Sequence, residues 1–212
     1  MFRTITSSFV SFLLAMSLLH SVNAQATLLF SSNLVEIHSI TTEGNNINAH
    51  PVQNADETAL GRLFASIRIN SDVEEKIIYL MSESDAAKLA KQVVISLRRL
   101  RPEQDMHLVI YRSVGGFLTT KRFSTGIRLF ASDAGLNLIF GQLDTFQNEF
   151  RGPGRKLAHP GSRSNTRIKG GSLVAADWFK FHTDRNDWMI YPIATTPSLK
   201  LRIKPGQPRT NY

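Results

Sequence analysis

The apolar positions of this chain follow two periods, and the two predict different elements. Between Ser82 and about Arg101 the residues Ala86, Leu89, Ala90, Val93, Val94, Leu97 and Leu100 recur at steps of three and four. They form one helical stripe, with Lys88, Lys91, Gln92 and Arg99 off it. Ser82 stands as N-cap with Asp85 three residues on, a shortened capping box. Glu83 and Asp85 put negative charge in the first turn, where the helix dipole favours it. Arg98, Arg99 and Arg101 crowd the C-terminal turn, and Pro102 ends the helix. A shorter helix is predicted from an N-cap at Asn54, with Glu57 three residues later and Leu60, Leu63, Phe64 and Ile67 on its stripe. Gly61 weakens it by about 1 kcal/mol relative to Ala.

The remaining apolar runs read as strands. Thr27 to Ile40 holds an alternating half, Leu34, Glu36, His38 and Ile40 against Val35 and Ile37, and reads as a first strand. Ile77–Met81 and His107–Tyr111 show no alternation, which predicts strands covered on both faces. With the long helix between them they read as a βαβ unit, with parallel strands and a right-handed crossover. Phe117–Ala131 and Leu136–Leu143 flank the turn Ser132-Asp133-Ala134-Gly135 and read as an antiparallel hairpin. Gly126 inside that pattern predicts a bulge or a closely packed neighbour. The order is strand, helix, strand, helix, strand, strand, strand. The fold class is therefore α+β: a mixed β-sheet with two amphipathic helices packed on one face.

Beyond residue 150 the pattern changes. Arg151-Gly-Pro-Gly-Arg-Lys156, His159-Pro-Gly-Ser-Arg163 and Arg167-Ile-Lys-Gly-Gly171 make a basic loop rich in Gly and Pro. Apolar content returns in Ser172–Ala176, Trp178–Phe181 and Asp187–Tyr191, the last a strand. Leu199-Lys-Leu-Arg-Ile203 alternates apolar with basic residues, and Pro205–Tyr212 reads as a loose tail. Residues 25–150 are thus expected to form the α+β core. Residues 151–212 would add a basic C-terminal extension with short strands packed on the same domain.

The first 24 residues have the layout of a secretory signal peptide. Arg3 is the basic start, Phe9 to Val22 is an apolar stretch short for a bilayer, and Val22-Asn23-Ala24 offers small residues for cleavage. The mature chain would begin at Gln25, with an uncleaved anchor as the alternative. There are no cysteines, which excludes disulfides, thiol redox chemistry and thiolate metal sites. Export without disulfides fits the bacterial periplasm, in the cell envelope. No later segment is long and apolar enough to be a transmembrane helix. Charge is uneven. Residues 25–150 carry 12 Lys/Arg against 14 Asp/Glu, a net of −2, while residues 151–212 carry 12 against 3, a net of +9.

No motif for chemistry emerges. The histidines His38, His50, His107, His159 and His182 show no H-x-H or H-E-x-x-H spacing, so no metal and no cofactor is expected. Gly161-Ser162-Arg163-Ser164 lacks the second Gly of a nucleophile elbow, and Gly170-Gly171-Ser172 lacks the first Gly and the Lys of a phosphate loop. Asp177 and Asp187 precede Trp178 and Trp188, a carboxylate–aromatic pairing found in carbohydrate sites, although tryptophans at strand starts more often pack. The one feature pointing to a partner is the cationic cluster Arg151, Arg155, Lys156, Arg163, Arg167 and Lys169. Guanidinium and ammonium groups so spaced suit phosphate or carboxylate. A solvated loop on a basic protein is the plain alternative. Export and the absence of aromatic residues interleaved in the loop argue against nucleic acid.

The run Gly126-Ile-Arg-Leu-Phe130 through Leu136-Asn-Leu-Ile-Phe-Gly141, after a helix ending Leu100-Arg-Pro102, resembles an uncharacterised family of exported proteobacterial proteins with no assigned function. The resemblance covers roughly residues 30 to 190. It implies a bacterial envelope origin and one domain, and it carries over no catalytic residue. The expectation is a non-enzymatic envelope protein. It would bind an anionic partner: a lipid headgroup, a glycan or an acidic protein. A small hydrolase of envelope glycans or esters, with His159 set against Asp177 or Asp187, and a structural or assembly component of an envelope complex are the alternatives.

Overall fold

The hairpin expected between Phe117 and Leu143 is part of a longer antiparallel meander that forms the backbone of the molecule. Strands β1 (Thr27–Ser31) and β2 (Val35–Thr41) form a hairpin; helix α1 (Glu57–Ser66) follows, then a second hairpin of β3 (Arg68–Ser71) and β4 (Lys76–Tyr79). Helix α2 (Glu83–Leu97) leads into β5 (Gln104–Gly116), β6 (Thr119–Ser132) and β7 (Gly135–Phe146). Short strands β8 (Ser172–Leu173), β9 (Lys180–Phe181) and β10 (Trp188–Tyr191) complete it. This computed structural model describes residues 26–44, 46–116, 119–147 and 156–192. The leader and its cleavage site, Arg151, Arg155, the Leu199–Ile203 alternation and the Pro205–Tyr212 tail lie outside the described residues.

The fold is α+β. A seven-stranded sheet runs β1-β2-β5-β6-β7-β10-β9, and a three-stranded sheet runs β4-β3-β8. One face of the large sheet is apolar by alternation: Ile37 on β2, Met106, Leu108 and Ile110 on β5, Ile127 and Leu129 on β6, Leu138 and Phe140 on β7. Against it pack Leu60, Leu63 and Phe64 of α1 and Leu89, Val93 and Leu97 of α2. The two helices therefore share one face of the sheet, and this layer is the main core.

Local signals placed α2 well and placed α1 two residues off. The Ser82 hydroxyl accepts from the Asp85 N–H at 3.2 Å, as a capping serine does. The helix stops at Leu97, so Arg98, Arg99 and Arg101 follow it instead of crowding its last turn. At α1 the cap is Asp56, whose carboxylate accepts from the Ala59 N–H at 3.0 Å, and Asn54 has no part in it. The turn at Ser132–Gly135 joins β6 to β7 as expected, and the ladder slips register at Gly126.

The expected βαβ unit is absent. β4 pairs with β3, β5 lies between β2 and β6, and every pairing among the described strands is antiparallel. The apolar run Ile77–Met81 is not a strand buried on both faces: Ile77 is 56% exposed, and β4 is an edge. What pulls it away from β5 is β3. The Ser71 hydroxyl accepts from the N–H groups of Val73 and Glu74, both at 3.2 Å, and closes a tight hairpin in what reads as a polar link.

Two glycine substitutions test the packing with opposite signs. At Gly61 on α1 an added Cβ would lie 3.5 Å from the Ala87 Cα on α2, ordinary contact, so Gly61→Ala is expected to raise stability by up to about 1 kcal/mol through helix propensity. At Gly141 on β7 a Cβ would overlap the backbone of Gly161 lying across the sheet, so Gly141→Ala is expected to cost about 1–3 kcal/mol. Urea denaturation of both variants reads the two shifts.

Candidate functional site: a charged sheet face under a basic strap

The second face of the large sheet carries charged and polar side chains among apolar ones, yet it is buried. One row crosses it strand by strand: His38 on β2, His107 on β5, Arg128 on β6, Ile139 on β7 and Trp188 on β10 are successive cross-strand partners. Asp105, two residues before His107, projects from the same side and is fully buried. Over the centre of this row runs a strap, Lys156 to Gly171: its Ala158–Arg163 stretch bonds to His107, Arg128 and Asp105, and its end reaches the Leu143 N–H of β7 through the Lys169 carbonyl. Gly126 and Gly141 make this possible. A Cβ at Gly126 would overlap the carbonyl of His159, and one at Gly141 would overlap Gly161, so only glycine admits the strap's backbone.

An irregular segment over a sheet carries carbonyl groups that need donors. The sheet and the turn before β10 supply them from polar and charged side chains. His107 Nε2 donates to the carbonyl of Ala158 at 2.8 Å, and Arg128 Nε donates to that of Gly161 at 3.1 Å. Arg185, in the turn before β10, donates to the carbonyls of Ser162 at 2.7 Å and Arg163 at 2.8 Å. It also holds Asp187 in a bidentate pair, at 2.8 and 2.6 Å. Asp187 is thereby committed to Arg185, and it does not orient His159 as the hydrolase reading requires. Asp177 is exposed. The two tryptophans pack: Trp188 meets Phe130 edge-on and donates to Asn137 at 2.9 Å, and Trp178 meets Phe179 and Tyr191.

The centre of the network is Asp105. One of its oxygens accepts from Arg128 at 2.6 Å; the other accepts from Asn48 at 2.7 Å and from Arg163 of the strap. The Arg163 guanidinium also lies 3.5 Å above the Phe130 ring. Glu43 completes the set, with one oxygen on Arg128 at 2.8 Å and the other accepting from the Ser162 hydroxyl and the Arg163 N–H. Burial pushes the Glu43 carboxyl up, but Arg128 and the strap donors outweigh it and hold it below the ordinary carboxylate range. Two carboxylates thus meet two guanidinium groups with little water between them.

The six cations singled out in the sequence divide under this arrangement. Arg163 is an anchor, with its side chain turned into the sheet. The strap is not a wholly solvated loop, since Ala158 and Gly161 are buried. Lys156, Arg167 and Lys169 point outward and are exposed. Burial, Arg128 and, to a lesser degree, Lys169 and Lys156 lower the pKa of His159. Arg151 and Arg155 fall outside the described residues. Sequence reading missed Asp105, Arg128, Glu43 and Arg185. The only local sign of Arg128 is a charge between Ile127 and Leu129, which an exposed sheet face would show equally.

A second ionic cluster ties the small sheet to the large one. On the helix-side face, Arg112 forks onto Asp144 at 2.9, 2.7 and 2.6 Å and also meets Glu74, while Ser71 donates to Asp144 at 2.6 Å. Among the described residues no helix is long and apolar enough to cross a membrane. Comparison with protein-family models, with curated proteins and with solved structures finds no match to this chain.

Two buried histidines give this face a pH dependence of definite sign. Burial lowers His107 from 6.5 to about 3, with the positive charge of His38, Arg128 and His159 adding to it against the Ala158 bond. Burial likewise lowers His50, whose two ring nitrogens are buried without partners, to about 4. Both imidazoles stay neutral in the fold, whereas the unfolded chain takes up protons below 6.5. Stability is therefore complete above pH 6.5 and falls as pH drops toward 4, by at most about 1.4 kcal/mol per pH unit for each imidazole. Denaturation midpoints measured across this window should fall, and His107→Gln should remove about a third to a half of the slope, since His159 is lowered as well.

Proposed function

We propose that this is a non-enzymatic binding protein of the bacterial periplasm that holds an anionic partner, a lipid headgroup, a glycan or an acidic protein, on the outer surface of its strap. The observation that carries the reading is the division of the strap's cations. Arg163 fixes the backbone from below by its buried pairing with Asp105. Lys156, Arg167 and Lys169 stand exposed on top, and among the described residues no carboxylate pairs with them. A positive surface on a fixed frame presents its charges without first having to be ordered. Partners carrying phosphate or carboxylate groups are attracted, and the attraction is screened by salt.

The hydrolase alternative lacks support, since Asp187 is held by Arg185 and the Ser162 hydroxyl donates to Glu43 at 2.8 Å instead of standing against a histidine. Retention of the purified protein on anionic liposomes and on peptidoglycan, at low and high salt, tests the proposal. Lys156→Ala, Arg167→Ala and Lys169→Ala combined should weaken retention at low salt roughly 100-fold, at about 1 kcal/mol for each cation near an anionic surface. The same variant should keep the wild-type unfolding midpoint. Arg163→Ala should act in reverse: it breaks a buried pair and lowers stability by about 3 kcal/mol. Equal retention of the triple variant and the wild type would sink the reading.

A further inference from the structure

The seven-stranded sheet ends on β1, and among the described residues no strand pairs with its outer edge. That edge is apolar, Thr-Leu-Leu-Phe-Ser, and Leu28 is 54% exposed. An open edge of this composition is a template for another strand. Beside it runs a groove of about 890 Å³, bounded by the end of β1 and its turn, the junction of β4 with α2, and β5 near Arg112. Its floor of Val35, Leu80, Leu89 and Ile110 belongs to the main core, so here the helix layer stops short of the sheet margin. Phe30, opposite Ile37 in the ladder, and the exposed Leu34 and Tyr79 form its lip.

An occupant must offer main-chain groups to the edge and alternate apolar side chains to the groove. This chain carries such a segment after its last described residue: Leu199-Lys-Leu-Arg-Ile203. Set against β1, its three apolar residues would face the side of Phe30 and the groove. Lys200 and Arg202 would fall on the opposite side, where Glu36 stands across the ladder from Ser31. The pattern fits in period and in sign of charge.

Measured along the sheet, the segment falls short of the edge of its own chain. The described chain leaves the sheet at Pro192, just after β10, and a strand added outside β1 lies six strand spacings away in the sheet order. At about 4.8 Å per spacing that is about 29 Å. Seven fully extended residues from Pro192 to Leu199 span at most about 25 Å, and the path must also skirt the helices or the strap. We infer that residues 199–203 of one copy add as a strand to the free edge of β1 in a second copy, with their apolar face in the adjoining groove. Reciprocal exchange closes a dimer. The inference goes beyond anion binding and uses none of the three exposed strap cations.

Sedimentation velocity of the full chain over a wide concentration range tests it. The wild type should associate reversibly to a dimer. The double variant Leu201→Asp, Ile203→Asp should lose the dimer while keeping the wild-type circular dichroism. A synthetic peptide of residues 196–206 should bind that variant and dissociate the wild-type dimer, and Phe30→Asp should abolish both. A monomeric wild type, a tail variant that associates like the wild type, or a peptide that does not bind overturns the inference. If Phe30→Asp does not fold, the tail variant and the peptide still decide it.

Discussion

Asp105 sits between two guanidinium groups, and the second face of the sheet depends on that contact. Its carboxylate is fully buried, with Arg128 of the sheet on one oxygen and Arg163 of the strap on the other. Removing such charges from water costs several kcal/mol for each ion, so the network adds little net stability over an apolar substitute. What it supplies is position. A strap held by apolar contacts alone could slide along the sheet, whereas a guanidinium bonded to one carboxylate and one amide, and stacked on Phe130, admits a single register.

That register determines which residues the sheet can place beneath the strap. Gly126 and Gly141 lie where the backbone crosses, because no side chain fits there. His107, Arg128 and Arg185 lie where the strap's carbonyls need donors. The alternation of β5 and β6 thus serves two layers. Leu108 and Ile127 go to the helices, and His107 and Arg128 go to the strap. A face that is polar in sequence is dry in the fold, because its polar groups bond to a polypeptide instead of to water.

This explains what could be read from the sequence and what could not. Helix α2 was legible because its evidence is local: the Ser82 cap, the stripe from Ala86 to Leu97 and Pro102 all lie within one stretch of chain. The β6–β7 hairpin was legible for the same reason. The partner of β4 was not, since a strand's neighbour is chosen by geometry elsewhere, and β3 with its polar Asn70 and Ser71 gave no apolar signal. Arg163 is the clearest case. In sequence it is one of six equivalent cations in a loop of Gly and Pro. Only Asp105, 58 residues earlier in the chain, separates it from the others. Gly126 carried a real signal, and the close neighbour it called for is the strap itself.

The buried pairing also bears on how the exposed cations can act. Three lysine and arginine side chains on a loose loop would each lose chain entropy on meeting an anion, and the loop would lose more. On a strap pinned by Arg163 and by the bonds to Ala158 and Gly161, the backbone share of that cost has already been met in folding. Internal ion pairing and the proposed outward binding are therefore compatible in this basic segment. The first turns one arginine inward, and by doing so it fixes where the remaining charges stand.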